Sequence, residues 1–408
     1  MENTKHRPLG AFEQVCSLFD KIYAVDFALV AEIDGQTSES SWRLAMDQVQ
    51  LRHPNMRVYI TVDGSGGQHF LPVQGMKVPI KTVHSQAGLG WEKVLEEERE
   101  QPFQIGSPLI RMVLIAAEKG TTVMLLAHHA IGDGTSLGFV LRDLLEEISG
   151  LKRKPLHQPI SIDARLGMEP GSDPFFSSGR PGQEIQKDKR IRGTVSSHKL
   201  TQALTEGLIS RSKLEGTTVH GALCASVVIA ARKLMKEWRY RPVQLISPIS
   251  VRRMLDVDDD FFLCISIHPV LFPADDDIPF WELARFAKEG LAGTDLACHL
   301  AEFTHSLQKI VYGQESYEGR TEILRKAFGH DLMVSNLGNI KFGTDFGCLK
   351  IKDIWGPVIL SRPGHAQTVG AITCNGSLHL TNISERPMSS LLMVVEQILQ
   401  QFCAQSTG

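Results

Sequence analysis

The chain lacks the features that mark several large protein classes. Its seven cysteines, at positions 16, 224, 264, 298, 348, 374 and 403, form no CxxC pair and no finger spacing. That argues against a thiolate metal site or a disulfide framework and for a reducing cytoplasm. No apolar run approaches the ~20 residues that span a bilayer. The longest candidate, residues 221–231 (GALCASVVIAA), reads as a buried helix. A basic-then-apolar secretory start is missing too. Neither sign of charge dominates, since 43 Lys and Arg stand against 46 Asp and Glu for a net of −3, and no nucleic-acid partner is expected. The one glycine cluster, Gly64-Ser65-Gly66-Gly67, has no Lys-Ser or Lys-Thr after it and reads as a hairpin turn, not a phosphate loop.

What the chain does have is concentrated at residues 128–134 (HHAIGDG). Residues 121–127 (TTVMLLA) precede them as a short apolar run, the pattern of a strand buried on both faces. Leu137, Val140, Leu141, Leu144, Leu145 and Ile148 follow at helical spacing and predict an amphipathic helix. Adjacent strand residues point to opposite faces, so one histidine at most looks into a given cleft, and His129 is the one expected there. A neutral imidazole in that place can take the proton of an alcohol or amine attacking a carbonyl. Asp133 is placed to hold the loop by ion pairing or to cap the helix, and Gly134 to let the chain turn tightly. The plainer alternative is two satisfied core histidines and a simple cap.

Two other chemistries can be read from the same stretch. Residues 134–138 fit the GxSxG elbow with Ser136 as an esterase nucleophile, but the serine falls beyond the strand-to-helix turn and no HGGG-type loop accompanies it. His128, His129 and Asp133 are all metal-ligand types, but neighbouring strand residues diverge, so no metal site is expected.

Elsewhere the pattern alternates. Strands are predicted at 25–33 and 57–62, helices at 38–52 and 91–100, the latter with a solvated face, and a hairpin at 109–117 and 121–128. Residues 151–193 carry five prolines and the basic run 187–192, and read as a crossover between an N-terminal lobe, 1–150, and a C-terminal lobe, 194–408. Those basic residues either meet phosphate groups or form a solvated linker. The second lobe is predicted to hold helices at 201–215, 217–234 and 389–402 and strands at 243–251, 263–272, 332–336, 348–355, 366–374 and 377–383. Asn375-Gly376 joins the last two as a hairpin. Such alternation indicates an α/β sandwich architecture.

These residues carry a resemblance. His128, His129, Asp133 and Gly134 match the HHxxxDG signature of the CoA-dependent acyltransferase superfamily, which includes nonribosomal peptide condensation domains, alcohol acyltransferases and chloramphenicol acetyltransferase. Residues 51–56 (LRHPNM) and 102–114 (PFQIGSPLIRMVL) resemble its first-lobe segments. Residues 248–252 (PISVR) and 335–338 (SNLG) resemble its second-lobe motifs, in the expected order. The opening, residues 7–23, is most similar to the phthiocerol/phthiodiolone dimycocerosyl transferase branch of polyketide-associated acyltransferases.

The resemblance implies two chloramphenicol-acetyltransferase-like lobes, each an α+β two-layer sandwich, forming a pseudo-dimer around a central tunnel. It implies His129 as general base and direct transfer without an acyl-enzyme. The donor would be an acyl-CoA or phosphopantetheinyl thioester, with no tightly bound cofactor. Asp133 becomes a structural carboxylate paired with Arg252, with Arg253 as the neighbouring substitute. Ser335 and Asn336 stand either near the reacting carbonyl or as strand-end caps. The expected product is an ester of a polyketide, lipid or other secondary-metabolite alcohol. The alternatives are a free-standing condensation enzyme forming amides on carrier-bound substrates, with an acyl carrier protein as partner, and a non-catalytic binding protein of the same fold.

Overall fold

A computed structural model describes the chain except for residues 1–5, 21–22, 24, 64–66, 85–89, 104–105, 170–191, 275–276, 314 and 404–408. The turn at 64–66 and most of the basic run at 187–192 therefore lie outside the described residues. Arg192, the last residue of that run, ion-pairs with Glu100.

The first half runs β1 (Arg7–Pro8), α1 (Ala11–Phe19), β2 (Asp26–Asp34), α2 (Glu39–Arg52), β3 (Val58–Val62), β4 (Gln68–Pro72), β5 (Ile80–His84), α3 (Trp91–Glu98), β6 (Ile110–Ala117), β7 (Gly120–His128) and α4 (Gly134–Ile148). A short α5 (Ile162–Arg165) leads toward β8 (Thr194–Lys199), α6 (Gln202–Leu214), α7 (Val219–Leu234), β9 (Val243–Ser250) and β10 (Ile265–Phe272). Then come α8 (Phe280–Gly290), α9 (Ala297–Val311), α10 (Tyr317–Ala327), β11 (Leu332–Asn339), β12 (Lys350–Ile359), β13 (Gln367–Cys374), β14 (Ser377–Ser384) and α11 (Leu391–Cys403).

The apolar run of β7 is central in a mixed five-stranded sheet of order β12-β2-β7-β6-β5. Both of its faces are covered. Val123, Leu125 and Ala127 enter the core beneath α2 and α4, while Met124 and Leu126 enter a second cluster with Trp91, Val94 and Leu95 of α3. The helix read at 91–100 is therefore not a solvated face; its apolar positions are spaced for burial, and the acids between them hid that stripe. The predicted stripe of α4 is buried throughout.

A six-stranded sheet of order β10-β9-β11-β13-β14-β8 forms the other half, covered by α6, α7, α8 and α11. Its β9–β11 and β11–β13 pairs are parallel. Asn375 and Gly376, at φ +49° and +75°, make the tight β13–β14 turn. No single helix among the described residues is long and apolar enough to cross a membrane. The fold is a mixed α/β pseudo-dimer, as the spacing of elements and the resemblance implied.

The strand read at 348–355 differs most from its sequence reading. It runs to Ile359 and leaves its own half, pairing antiparallel with β2 from Lys350↔Asp34 to Ile359↔Phe27. Periodicity marks a strand but carries no information on which sheet receives it. Where β12 crosses β13 the backbones nearly touch: a Cβ on Gly370 would lie 2.1 Å from the Pro357 carbonyl oxygen and 2.6 Å from Thr381 Oγ1. Gly370→Ala is therefore expected to destabilise the protein by about 1–3 kcal/mol through overpacking, read as a lowered urea midpoint. An unchanged midpoint would show that this crossing is looser than described.

Candidate active site

The β7 ladder ends at the histidines, where the His128 N–H donates to the Leu109 carbonyl (2.8 Å) and the His129 N–H to that of Val25 (3.1 Å). The two rings then diverge. His128 turns inward: its Nδ1 accepts from the Ala130 N–H at 3.1 Å and its ring meets Phe103 edge-on. His129 stacks on Phe27 with ring centroids 4.5 Å apart, half-buried against a cavity. Its Nδ1 lies 3.0 Å from the Gly132 carbonyl oxygen. A carbonyl can only accept, so Nδ1 carries the hydrogen and Nε2 of the neutral ring is bare. Burial pushes the His129 pKa below its ordinary value, against an opposing pull from the Asp133 charge.

Asp133 does not touch that ring. It caps α4, accepting from the Ser136 N–H at 2.8 Å, and accepts the Cys264 N–H at 3.0 Å. Arg252 Nη2 lies 3.1 and 3.2 Å from its two oxygens. Arg252 is buried between Phe139 and Phe262 and also donates to the carbonyls of Asp258 and Asp260. Arg253, the neighbour weighed as its substitute, is exposed. A second set of contacts fastens the same seam: Asp259 ion-pairs with Arg52 and Arg142, Asp143 ion-pairs with Arg52, and His53 Nε2 lies 2.7 Å from Asp143 Oδ2.

One sequence expectation fails on this geometry, and the disfavoured esterase reading loses its nucleophile. Gly134 is the first helical residue and no left-handed turn occurs there. It is needed for close approach instead, because a Cβ would lie 2.9 Å from Leu337 and 3.2 Å from Pro357. Ser136, the candidate esterase nucleophile, is fully buried, with Arg252 Nη2 donating to its Oγ at 2.8 Å and Asp133 Oδ1 2.9 Å away. A hydroxyl so enclosed serves the ion pair and cannot reach a substrate. His128, His129 and Asp133 do not converge on a common point that would hold a metal.

The cavity beside His129 has a volume of about 220 Å³ and lies between the two sheets. Its walls are mostly apolar, from Phe12, Val15 and Phe19 of α1, Phe27, Ile246, Ile267 and Met333 among others. It follows β11: His330 lines it before that strand, Met333, Ser335 and Leu337 along it, and Lys341 after it. An eight-residue strand extends roughly 26 Å, so the cavity is elongated. Ser335 and Asn336 both line it. The Asn336 Oδ1 accepts the Gly338 N–H at 2.8 Å, which caps the local turn and leaves the amide NH₂ as its remaining polar end. Sequence reasoning missed Tyr23, Phe139, His330 and Ser361, which line the same space; no local pattern distinguishes them from core or loop residues.

Residues 16–160 match the family model described as Condensation domain, and residues 191–371 that described as Phthiocerol/phthiodiolone dimycocerosyl transferase C-terminus. Among solved structures the fold is similar to polyketide synthase associated protein 5 from Mycobacterium tuberculosis, at 14% identity and TM-score 0.69 over 100% of both chains. It is also similar to TRI3 trichothecene 15-O-acetyltransferase from Fusarium sporotrichioides, at 13% identity and TM-score 0.67 over 97% of this chain and 94% of that one. A stretch of 122 residues, 28% of this chain, is 28% identical to malpinin synthetase of Mortierella alpina, and covers 2% of that protein. The chain thus spans a small fraction of such a relative's length.

Removing one member of the buried pair strands the other. Arg252→Ala is expected to cost about 3–5 kcal/mol in equilibrium unfolding, with Asp133→Asn/Arg252→Met recovering part of it. A loss below about 1 kcal/mol, the range of an exposed pair, would remove this pair as the seam's anchor.

Proposed function

Because this chain belongs to the CoA-dependent acyltransferase superfamily, alongside condensation domains and phthiocerol/phthiodiolone dimycocerosyl transferases, we propose that it moves an acyl group from a thioester to a hydroxyl. The reading rests on one observation, the His129 imidazole whose Nδ1–H is tied to Gly132 while Nε2 stands bare beside a long apolar passage. Nε2 takes the acceptor's O–H proton as the oxygen attacks the thioester carbonyl. The Asn336 NH₂ or the Ser335 hydroxyl steadies the tetrahedral oxyanion, and collapse expels the thiolate, which recovers the proton from His129. Asp133 acts as a positioning residue, and its charge favours the transient imidazolium from a distance. No acyl-enzyme is required.

The donor is an acyl-CoA or an acyl group on phosphopantetheine, and an acyl carrier protein is the partner in the second case. Ester formation on a polyketide, lipid or other secondary-metabolite alcohol is favoured by the likeness of the second half to dimycocerosyl transferases and of the fold to a 15-O-acetyltransferase. Amide formation on carrier-bound substrates is the second reading, supported by the condensation model over residues 16–160. We place the protein in the reducing cytoplasm, in keeping with its seven unpaired cysteines.

Thiol release from a panel of acyl-CoA donors, with alcohols and amines as acceptors, tests the activity. His129→Ala is expected to lower turnover roughly 10²- to 10⁴-fold with an unchanged melting temperature, while Ser136→Ala keeps the chemistry. Turnover surviving in His129→Ala would overturn the mechanism. Burial lowers the His129 pKa from 6.5, so the acid limb of kcat/KM should have its midpoint below pH 6.5. The sign for stability agrees: the folded state binds fewer protons here than the unfolded chain, so this group makes the protein less stable as pH falls below 6.5.

A further inference from the structure

One end of the passage carries a chain of three side chains that the proposed transfer does not use. His330 Nδ1 lies 2.8 Å from the Phe328 carbonyl oxygen, and its Nε2 lies 2.8 Å from Ser361 Oγ. Ser361 Oγ lies 2.7 Å from Thr368 Oγ1. His330 and Ser361 line the cavity, and Thr368 is buried behind them on β13.

The direction of every proton in this chain follows from its ends. The Phe328 carbonyl can only accept, so the hydrogen of a neutral His330 sits on Nδ1 and Nε2 is an acceptor. Burial keeps the ring neutral by lowering its pKa to about 4. The Ser361 hydroxyl must then give its one proton to His330, and Thr368 must donate to Ser361. The half-buried Ser361 oxygen has one lone pair left and no proton to offer.

We propose that Ser361 is an acceptor-only recognition point in the passage, selecting a substrate that carries an O–H or N–H some distance from its reacting group. Ser361 lies two residues beyond Ile359, which pairs with Phe27, the ring stacked on His129. The cross-strand step to Phe27, about 5 Å, adds to the span of those two residues, so the recognised group lies several carbons from the reacting one. The chemistry fits a second hydroxyl on the acceptor alcohol, so the acceptor is a diol or a longer polyol. The amide N–H of a pantetheine arm is the other source of such a donor. This inference rests on the acyltransferase reading for the identity of the substrate, though not for the existence of the subsite.

The test uses the full chain, wild type and Ser361→Ala, with hexanediol against hexanol as acceptors and acetyl-CoA against S-ethyl thioacetate as donors. In the wild type, hexanediol should show a KM about 5-fold below that of hexanol, the effect of one net hydrogen bond. Ser361→Ala should abolish that difference while kcat and the melting temperature stay unchanged, which a purely structural serine would not do. If the variant instead weakens only acetyl-CoA, the recognised group is the pantetheine amide. If it changes neither comparison, the subsite is overturned. Should no donor support transfer, the acyltransferase reading fails, and thermal stabilisation by hexanediol or pantetheine, lost in Ser361→Ala, still decides the subsite. Ser361→Cys, close in size and a poor acceptor, replaces the alanine variant if that one melts early.

Discussion

The buried contact between the Asp133 carboxylate and the Arg252 guanidinium is the constraint on which the rest is built. Asp133 closes the first turn of α4, so the pair fixes where the first half's central helix begins. Arg252 comes from the far side of the molecule and draws with it the segment whose Phe261 and Leu263 complete the first core. The loop from His129 to Asp133 is thus strung between a sheet ladder at one end and this ion pair at the other. Desolvating two charges makes such a pair a poor source of net stability, and its value lies in geometry. The imidazole inherits that geometry without touching either charge.

Much of this was legible in the sequence because it is local. The strand, the two diverging histidines, the cap and the amphipathic helix are set within thirty residues by period and by side-chain type. The pairing of Asp133 with Arg252, residues 119 apart, came from resemblance and not from any pattern along the chain. Other features had no local signal. Nothing near Ser361 shows that a loop hydroxyl meets a histidine thirty-one residues earlier, and nothing in 350–359 names β2 as its partner. Gly134 was read as a turn residue because glycine has two uses, and the sequence does not say whether freedom of φ or absence of a Cβ is the one required. The acids of 91–100 misled in the opposite way, since Glu98 is buried with Lys81 and Arg111 beside it.

The passage repeats one electrostatic device. At His129 and at His330 a backbone carbonyl claims the Nδ1 hydrogen, burial opposes a second proton, and Nε2 is left as an acceptor. At His129 that nitrogen stands open to the apolar space. At His330 it is filled by a hydroxyl, which moves the accepting character one atom outward onto Ser361. Two nitrogens of the same kind therefore give unlike surfaces, one able to take a proton and one able only to hold a hydrogen bond.

The loan of β12 from one sheet to the other restricts how anything can reach the imidazole. Two rigid bodies joined only by a hinge can gape and swallow a bulky guest. These halves share a strand of ten residues laid along β2, and separating them would unzip its ladder. Whatever reaches the imidazole must accordingly fit the space between halves that stay joined, and bulk that does not fit stays outside.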